Sequence, residues 1–140
     1  ADGTFDTPVN FTIGTSGGTI NNIGAIAAVD LNGDGKLDIV VGGRGSVSGS
    51  QTNGVLAVLR NTSSVGGAVT FASAAFFNTG PGPTSIASGD FDGDGKLDLA
   101  VAHNHSGGFG GGASSNRGLA LMRNTSSGST ISFSNFTDGK

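Results

Sequence analysis

The chain has 140 residues, a net charge of −3, 27 glycines and no cysteine. That length suits one ordinary domain. The composition excludes disulfides, zinc–thiolate sites and thiol catalysis, no apolar run approaches the roughly 20 residues of a membrane span, and the seven Lys and Arg form no basic stripe for nucleic acid. Glycine stands far above its average usage of about 7%. With many short apolar runs, this predicts short strands joined by tight turns rather than helices.

In chain order, Thr4–Thr12 reads as a lone outer strand. From Ile23, IGAIAAVDLNGDGKLDIVVGG is a strand of small residues, an aspartate-rich loop at Asp30–Asp38 and a second strand. VLAVLRNTSS (Val55–Ser64) supplies a third strand. TFASAAFFNTG (Thr70–Gly80) supplies a fourth and resembles TFDTPVNFTIG (Thr4–Gly14). The series then restarts. PTSIASGDFDGDGKLDLAVAH, from Pro83, repeats the first block 60 residues later, and GLALMRNTSS (Gly118–Ser127) repeats the third strand 63 residues later. In this second copy the strands are expected over Ser85–Phe91, Leu97–His103, Leu119–Asn124 and Ile131–Phe136. Small residues in the first strand (Gly24, Ala25, Ala27, Ala28; Ser85, Ala87, Ser88, Gly89) suit a crowded inner position where strands converge.

Four-stranded repeats of this period predict an all-β chain of two antiparallel propeller-type blades. The whole, residues 1–140, reads as one repeat module. The first blade covers about 15–80, with strand 4–12 as a terminal outer-strand piece, and the second about 81–140. Propellers close with about 4 to 8 blades, so two are expected to be completed by strand sharing with neighbouring copies or as part of a larger propeller. Heterologous contacts of that kind run head to tail into a ring or a filament.

The loops D-L-N-G-D-G-K-L-D and D-F-D-G-D-G-K-L-D carry seven of the ten acidic residues, all of them aspartate. Asp30, Asn32, Asp34 and Asp38 stand at the first, third, fifth and ninth places, and Asp90, Asp92, Asp94 and Asp98 stand at the same places in the second copy. Calcium takes six to eight oxygens at about 2.3–2.6 Å, and oxygen side chains at alternate positions of a turning loop converge on one point. Gly33, Gly35, Gly93 and Gly95 permit that turn. The backbone carbonyls of Lys36 and Lys96 add an oxygen at the seventh place while their side chains point away. An EF-hand is excluded, since its twelfth-place Glu is here Val41 or Val101. Two calcium ions per chain are expected.

The segment IASGDFDGDGKLDLAV, from Ile86 to Val101, resembles the FG-GAP and VCBS-type repeats of calcium-binding, integrin-like β-propellers, and the resemblance extends over nearly the whole chain. It implies that each loop joins the first and second strands of a blade and holds a structural calcium. The implied ligands are Asp30, Asn32, Asp34, Asp38 and the Lys36 carbonyl, with Asp90, Asp92, Asp94, Asp98 and the Lys96 carbonyl in the second copy. Members occur in secreted adhesins, lectins, surface proteins and modules beside enzymes.

Other signals are weaker. His103 and His105 open a Gly-rich loop, His103–Asn116, and read as exposed loop histidines rather than a second metal or sugar site. Five N-x-[ST] sequons, at Asn10, Asn61, Asn104, Asn124 and Asn135, are candidate glycosylation sites. No nucleophile elbow or phosphate loop appears, and no catalytic residue is assigned. Absence of a signal peptide and a start at Ala1 fit a processed chain. The expected function is a calcium-stabilised extracellular or cell-surface module, structural or adhesive, whose partners are other copies of itself. The alternatives are a glycan- or protein-binding module, with ligand loops at Arg44–Asn53 and His103–Asn116, and a non-catalytic piece of a secreted enzyme. The lack of Trp and Tyr demotes sugar binding, which favours such platforms.

Overall fold

The computed structural model describes residues 7–14, 17–47, 50–80, 82–105 and 116–135, and every regular element among them is a strand. The first sheet is formed by β1 (Gly18–Val29), β2 (Asp38–Val47), β3 (Ser50–Leu59) and β4 (Ala75–Asn78), and the second by β5 (Pro83–Gly89), β6 (Asp98–His105), β7 (Asn116–Asn124) and β8 (Phe133–Asn135). Each sheet is antiparallel with its strands in sequence order. This is the propeller-blade pattern, and two blades leave it unclosed. None of the described residues forms a helix long and apolar enough to cross a membrane.

Strand periodicity decides how the blades pack. Residues opposite each other in register share a face, so Ala27, Val40 and Val58 lie together, as do Gly42, Leu56 and Phe77. That face meets the side of the second sheet carrying Ile86, Leu99, Val101, Ala120 and Met122, and the two form one core with Val29 and Leu31. Burying each such Leu or Val is worth about 1.5–3 kcal/mol. Phe77 of β4 and Phe133 of β8 meet edge to face across this seam, with centroids 5.0 Å apart.

Of the small residues expected at a crowded inner position, Ala28, Ser85, Ala87 and Ser88 are exposed, and the close approach is made at Gly24. A Cβ on Gly24 would lie 2.4 Å from the Pro83 carbonyl oxygen, so only glycine lets β1 approach β5 so closely. Ahead of this contact, β1 has register shifts at residues 21–25, and Asn22 adopts φ of 46°. Asn is among the few residues that tolerate that region, and such bulges re-aim a strand.

Several expected boundaries move. Residues 44–47 and 50–53 belong to β2 and β3, so the expected ligand loop at Arg44–Asn53 is largely a hairpin arm, with 48–49 outside the described residues. His103 is not an exposed loop residue. It lies in β6, is buried, and has its Nε2 3.1 Å from the Thr79 hydroxyl. His105 closes β6, and 106–115, the rest of that expected loop, lie outside the described residues. Of the outer strand expected at 4–12, residues 4–6 are outside the described set, and 7–12 carry no ladder. At the other end β8 stops at Asn135, and Phe136 lies outside the described residues.

Candidate metal centre

Each aspartate-rich loop leaves the end of an inner strand, β1 or β5, and enters the next at its ninth residue, Asp38 or Asp98. Antiparallel order brings the β3–β4 and β7–β8 connections to the same end of the sheets. The loops and the repeated Arg-Asn-Thr-Ser-Ser segments therefore meet there.

The first aspartate of each loop organises the turn. Asp30 accepts hydrogen bonds from the backbone N–H groups of Gly33 (2.8 Å), Asp34 (3.2 Å) and Gly35 (2.8 Å). Asp90 does the same with Gly93 (2.7 Å), Asp94 (3.1 Å) and Gly95 (2.9 Å). The fifth residue caps the next step, as Lys36 N–H donates to Asp34 and Lys96 N–H to Asp94, both at 2.9 Å. Gly33, Gly35, Gly93 and Gly95 all have φ between 74° and 86°. No atom lies within 4 Å of a Cβ built on any of them, so the need for glycine there is torsional rather than steric.

The ninth residue ties the loop to the rest of its blade. Asp38 and Asp98 are wholly buried. Asp38 accepts from the Leu31 and Asn61 N–H groups, and Asp98 from those of Phe91 and Asn124. Asn61 and Asn124 then donate their side-chain amides to the Leu37 and Leu97 carbonyls, and their Oδ1 atoms accept from the Ser63 and Ser126 N–H groups. Asn124 donates once more, across the seam, to the Leu31 carbonyl at 2.8 Å. The repeated Asp and Asn thus form one clamp in each blade.

That clamp changes the reading of the sequons. The Asn124 nitrogen that would carry a glycan is buried and spent on two carbonyls, which removes Asn124 as an acceptor in the folded chain. The Asn61 nitrogen is engaged with Leu37. Asn10 and Asn104 are exposed, while the Asn135 side chain lies outside the described set. What sequence reasoning missed was the clamp role of the two asparagines. Their return within the repeated Arg-Asn-Thr-Ser-Ser segment, 23 and 26 residues after the ninth-place aspartates, was the available signal.

Electrostatics follow from these bonds. Asp90 is held below the ordinary carboxylate range, chiefly by the Gly95 N–H and then by its other backbone donors. Asp34 is lowered first by the Asn32 side chain and also by the Lys36 N–H. Burial pushes Asp38 up, outweighing its two backbone donors.

In the second loop, one ligand oxygen each from Asp90, Asp92 and Asp98 lie within 4.8 Å of one another. Oxygens on opposite sides of a calcium are separated by at most about 5 Å, twice the usual bond length, so this spacing fits one ion. Arg123 pairs with Asp92 and reaches Asp94 at 3.6 Å. In the first loop Asn32 takes the place of Asp92. Its amide nitrogen donates to Asp34 and to the Gly128 carbonyl, both at 3.2 Å, while its Oδ1 is buried with no hydrogen-bond partner. A buried orphan acceptor costs about 1–3 kcal/mol, and a cation would relieve it. The Lys96 side chain runs away from its loop to the Ser126 carbonyl at 2.9 Å. A cleft of about 230 Å³ separates the two loops and is lined by Asp30, Asn32, Lys96 and Ser126 among others.

No curated protein matches the chain, and no solved structure matches it. The FG-GAP repeat family matches residues 22–59, which contain the first loop, and the FG-GAP-like repeat matches residues 46–101, which contain the second. These matches together span residues 22–101, more than half the chain and both aspartate-rich loops, so the chain belongs to the FG-GAP repeat family.

Proposed function

We propose that this chain is a calcium-stabilised structural or adhesive module of the extracellular space, and that its copies join head to tail. FG-GAP repeats often bind calcium, mediate protein interactions, occur mostly in extracellular or surface proteins, and are generally structural rather than catalytic. Those family traits support the reading. The observation that carries it is the doubling of one oxygen-rich loop beside the seam. One copy gathers three carboxylates within 4.8 Å, and the other holds a buried, unpartnered amide oxygen.

By this reading Asp30, Asn32, Asp34, Asp38 and the Lys36 carbonyl hold one ion. Asp90, Asp92, Asp94, Asp98 and the Lys96 carbonyl hold the other. Calcium would offset the burial of charged Asp38 and satisfy the Asn32 oxygen. It would thereby pin each inner loop to the Asp–Asn clamp behind it. The ions stiffen a chain rich in glycine, and no reaction is assigned to them.

Thermal melting and light scattering, each with calcium and with chelator, test the proposal. Calcium is expected to raise the melting temperature, and chelation to dissolve the assembled species. A single-chain particle with the same melting temperature in both conditions would sink it.

A further inference from the structure

The two blades differ at one edge. In the first, residues 55–58 of β3 pair with β4 (Ala75–Asn78). In the second, β8 pairs only with Met122, Arg123 and Asn124. Residues 118–121 of β7, which correspond to 55–58, have no outer partner among the described residues. Residues 137–140 of the same chain align with β4, but they read Thr-Asp-Gly-Lys and bring no apolar side chain. Residues 9–12, Val-Asn-Phe-Thr, also align with β4, and they keep its key aromatic.

That segment already occupies the place of a fourth strand relative to the first blade. Phe11 meets Phe71 edge to face at 5.0 Å and 89°, and Phe77 meets Phe133 at 5.0 Å and 89°. Phe11 is the repeat equivalent of Phe77, and Phe71 of Phe133. Residues 9–12 therefore lie on the first blade as β4 lies on the second. Among the described residues no β3-like strand pairs with them.

The exposed apolar residues show where such a strand is. Leu56 is 0% exposed but its equivalent Leu119 is 64%; Val58 is 1% but Leu121 is 37%; Leu31 is 2% but Phe91 is 48%. The first-blade residues are covered by the second blade, and their counterparts face outward. On the opposite end, Ile26 is exposed whereas its equivalent Ile86 packs into the seam.

We infer that residues 9–12 of one copy add as the fourth strand to the outer edge of residues 118–121 of β7 in another copy. This rests on the head-to-tail reading above and specifies how it is built. The register follows from the β3–β4 ladder: Thr12 opposite Gly118, Phe11 opposite Leu119, Asn10 opposite Ala120 and Val9 opposite Leu121. Phe11 keeps its contact with Phe71 of its own chain, just as Phe77 pairs with Leu56 while touching Phe133. Pro8, which lacks an N–H, falls just before the added strand, at an outer edge where no donor is needed. The joined copies would then repeat the internal seam, with Leu119, Leu121 and Phe91 covered by the neighbour's first blade. Asn61 of that neighbour would meet the Phe91 carbonyl as Asn124 meets Leu31.

The test uses the full chain in calcium. The Val9→Cys and Leu121→Cys variants are mixed under mild oxidation, with Val9→Cys and the exposed Val65→Cys as the control pair. Opposed antiparallel residues stand about 4.5–5.5 Å apart at Cα, within disulfide reach. We expect about tenfold more linked dimer from the first mixture than from the control. A Leu119→Lys/Leu121→Lys variant, altered only at exposed positions, is expected to run as a single chain and to melt where the native chain melts when diluted to single chains. Assembly of the native chain without preferential Val9–Leu121 linkage would overturn strand donation and leave head-to-tail assembly standing. A native chain that stays single at every concentration would overturn both.

Discussion

The side-chain amide of Asn124 donates to the Leu31 carbonyl at 2.8 Å, joining the clamp of one blade to the metal loop of the other. It also donates to Leu97 and accepts from the Ser126 N–H, all in a buried position. Removing several satisfied buried bonds costs about 1 kcal/mol each, with more for partners left unpaired. Asn124→Ala is therefore expected to cost on the order of 3 kcal/mol in urea unfolding. Asn61→Ala, which loses only bonds within its own blade, is expected to cost clearly less. Equal losses would remove the special role given to the cross-seam bond.

Calcium should stabilise by mass action. At a concentration one hundred times its Kd, one site adds about 2.7 kcal/mol, or about 8 °C of melting temperature for a chain of this size. Asp94→Ala and Asp34→Ala should each delete most of one site's share in calcium. With chelator present they should change little, since both residues are exposed and give up only a Lys N–H cap, with the Asn32 amide bond at Asp34 and a long Arg123 contact at Asp94. Equal losses in both conditions would mean that the loops are ordinary turns.

Two glycine substitutions separate torsion from contact. Gly95 has φ of 86° and open space around it, so Gly95→Ala is expected to cost about 1–2 kcal/mol, and Asn at that site less. Gly24→Ala sets a methyl against the Pro83 carbonyl. It should push the sheets apart and separate the unfolding of the two blades. A lower apparent m-value or a second transition in denaturant melts would register this. A single unchanged transition would show that the β1–β5 contact is soft.

Acid should distinguish the loops. Burial raises Asp38 above its value of 3.8 in the unfolded chain. In chelator, between 3.8 and the raised value, the folded state holds the proton and the unfolded state does not. This group therefore favours folding more as pH falls through that window. Calcium needs the ionised form, so binding to the first loop should weaken as the pH falls through the raised value. Backbone donors lower Asp90, and the second loop should hold calcium to lower pH. Calorimetric titration of the Asp94→Ala and Asp34→Ala variants from pH 7 downward would check the order. Loss from the second loop first would reverse the assignment.

Much of this architecture was legible in the residues. The 60-residue repetition of GDGKLD and the return of the Arg-Asn-Thr-Ser-Ser segment announced paired blades, and glycine at the fourth and sixth places of the loops announced left-handed backbone. These features are local, because aspartate carboxylates accept from N–H groups a few residues away and φ is set residue by residue. Asn124, by contrast, looked like a surface sequon, and His103 looked like part of an open loop. Each is buried because a distant element closes over it, Leu31 from the other blade in one case and Thr79 in the other.

Sequence by itself determined the all-β class, the two blades and the oxygen-rich loops, since these rest on short-range periodicity and on turns that close within nine residues. Only the tertiary structure decided which face of each blade is used. The second blade covers Leu56, while its repeat equivalent Leu119, at the same register, stays in solvent. The same side chain in the same local setting is core or surface according to whether another blade lies over it, and burial is a property of that neighbour.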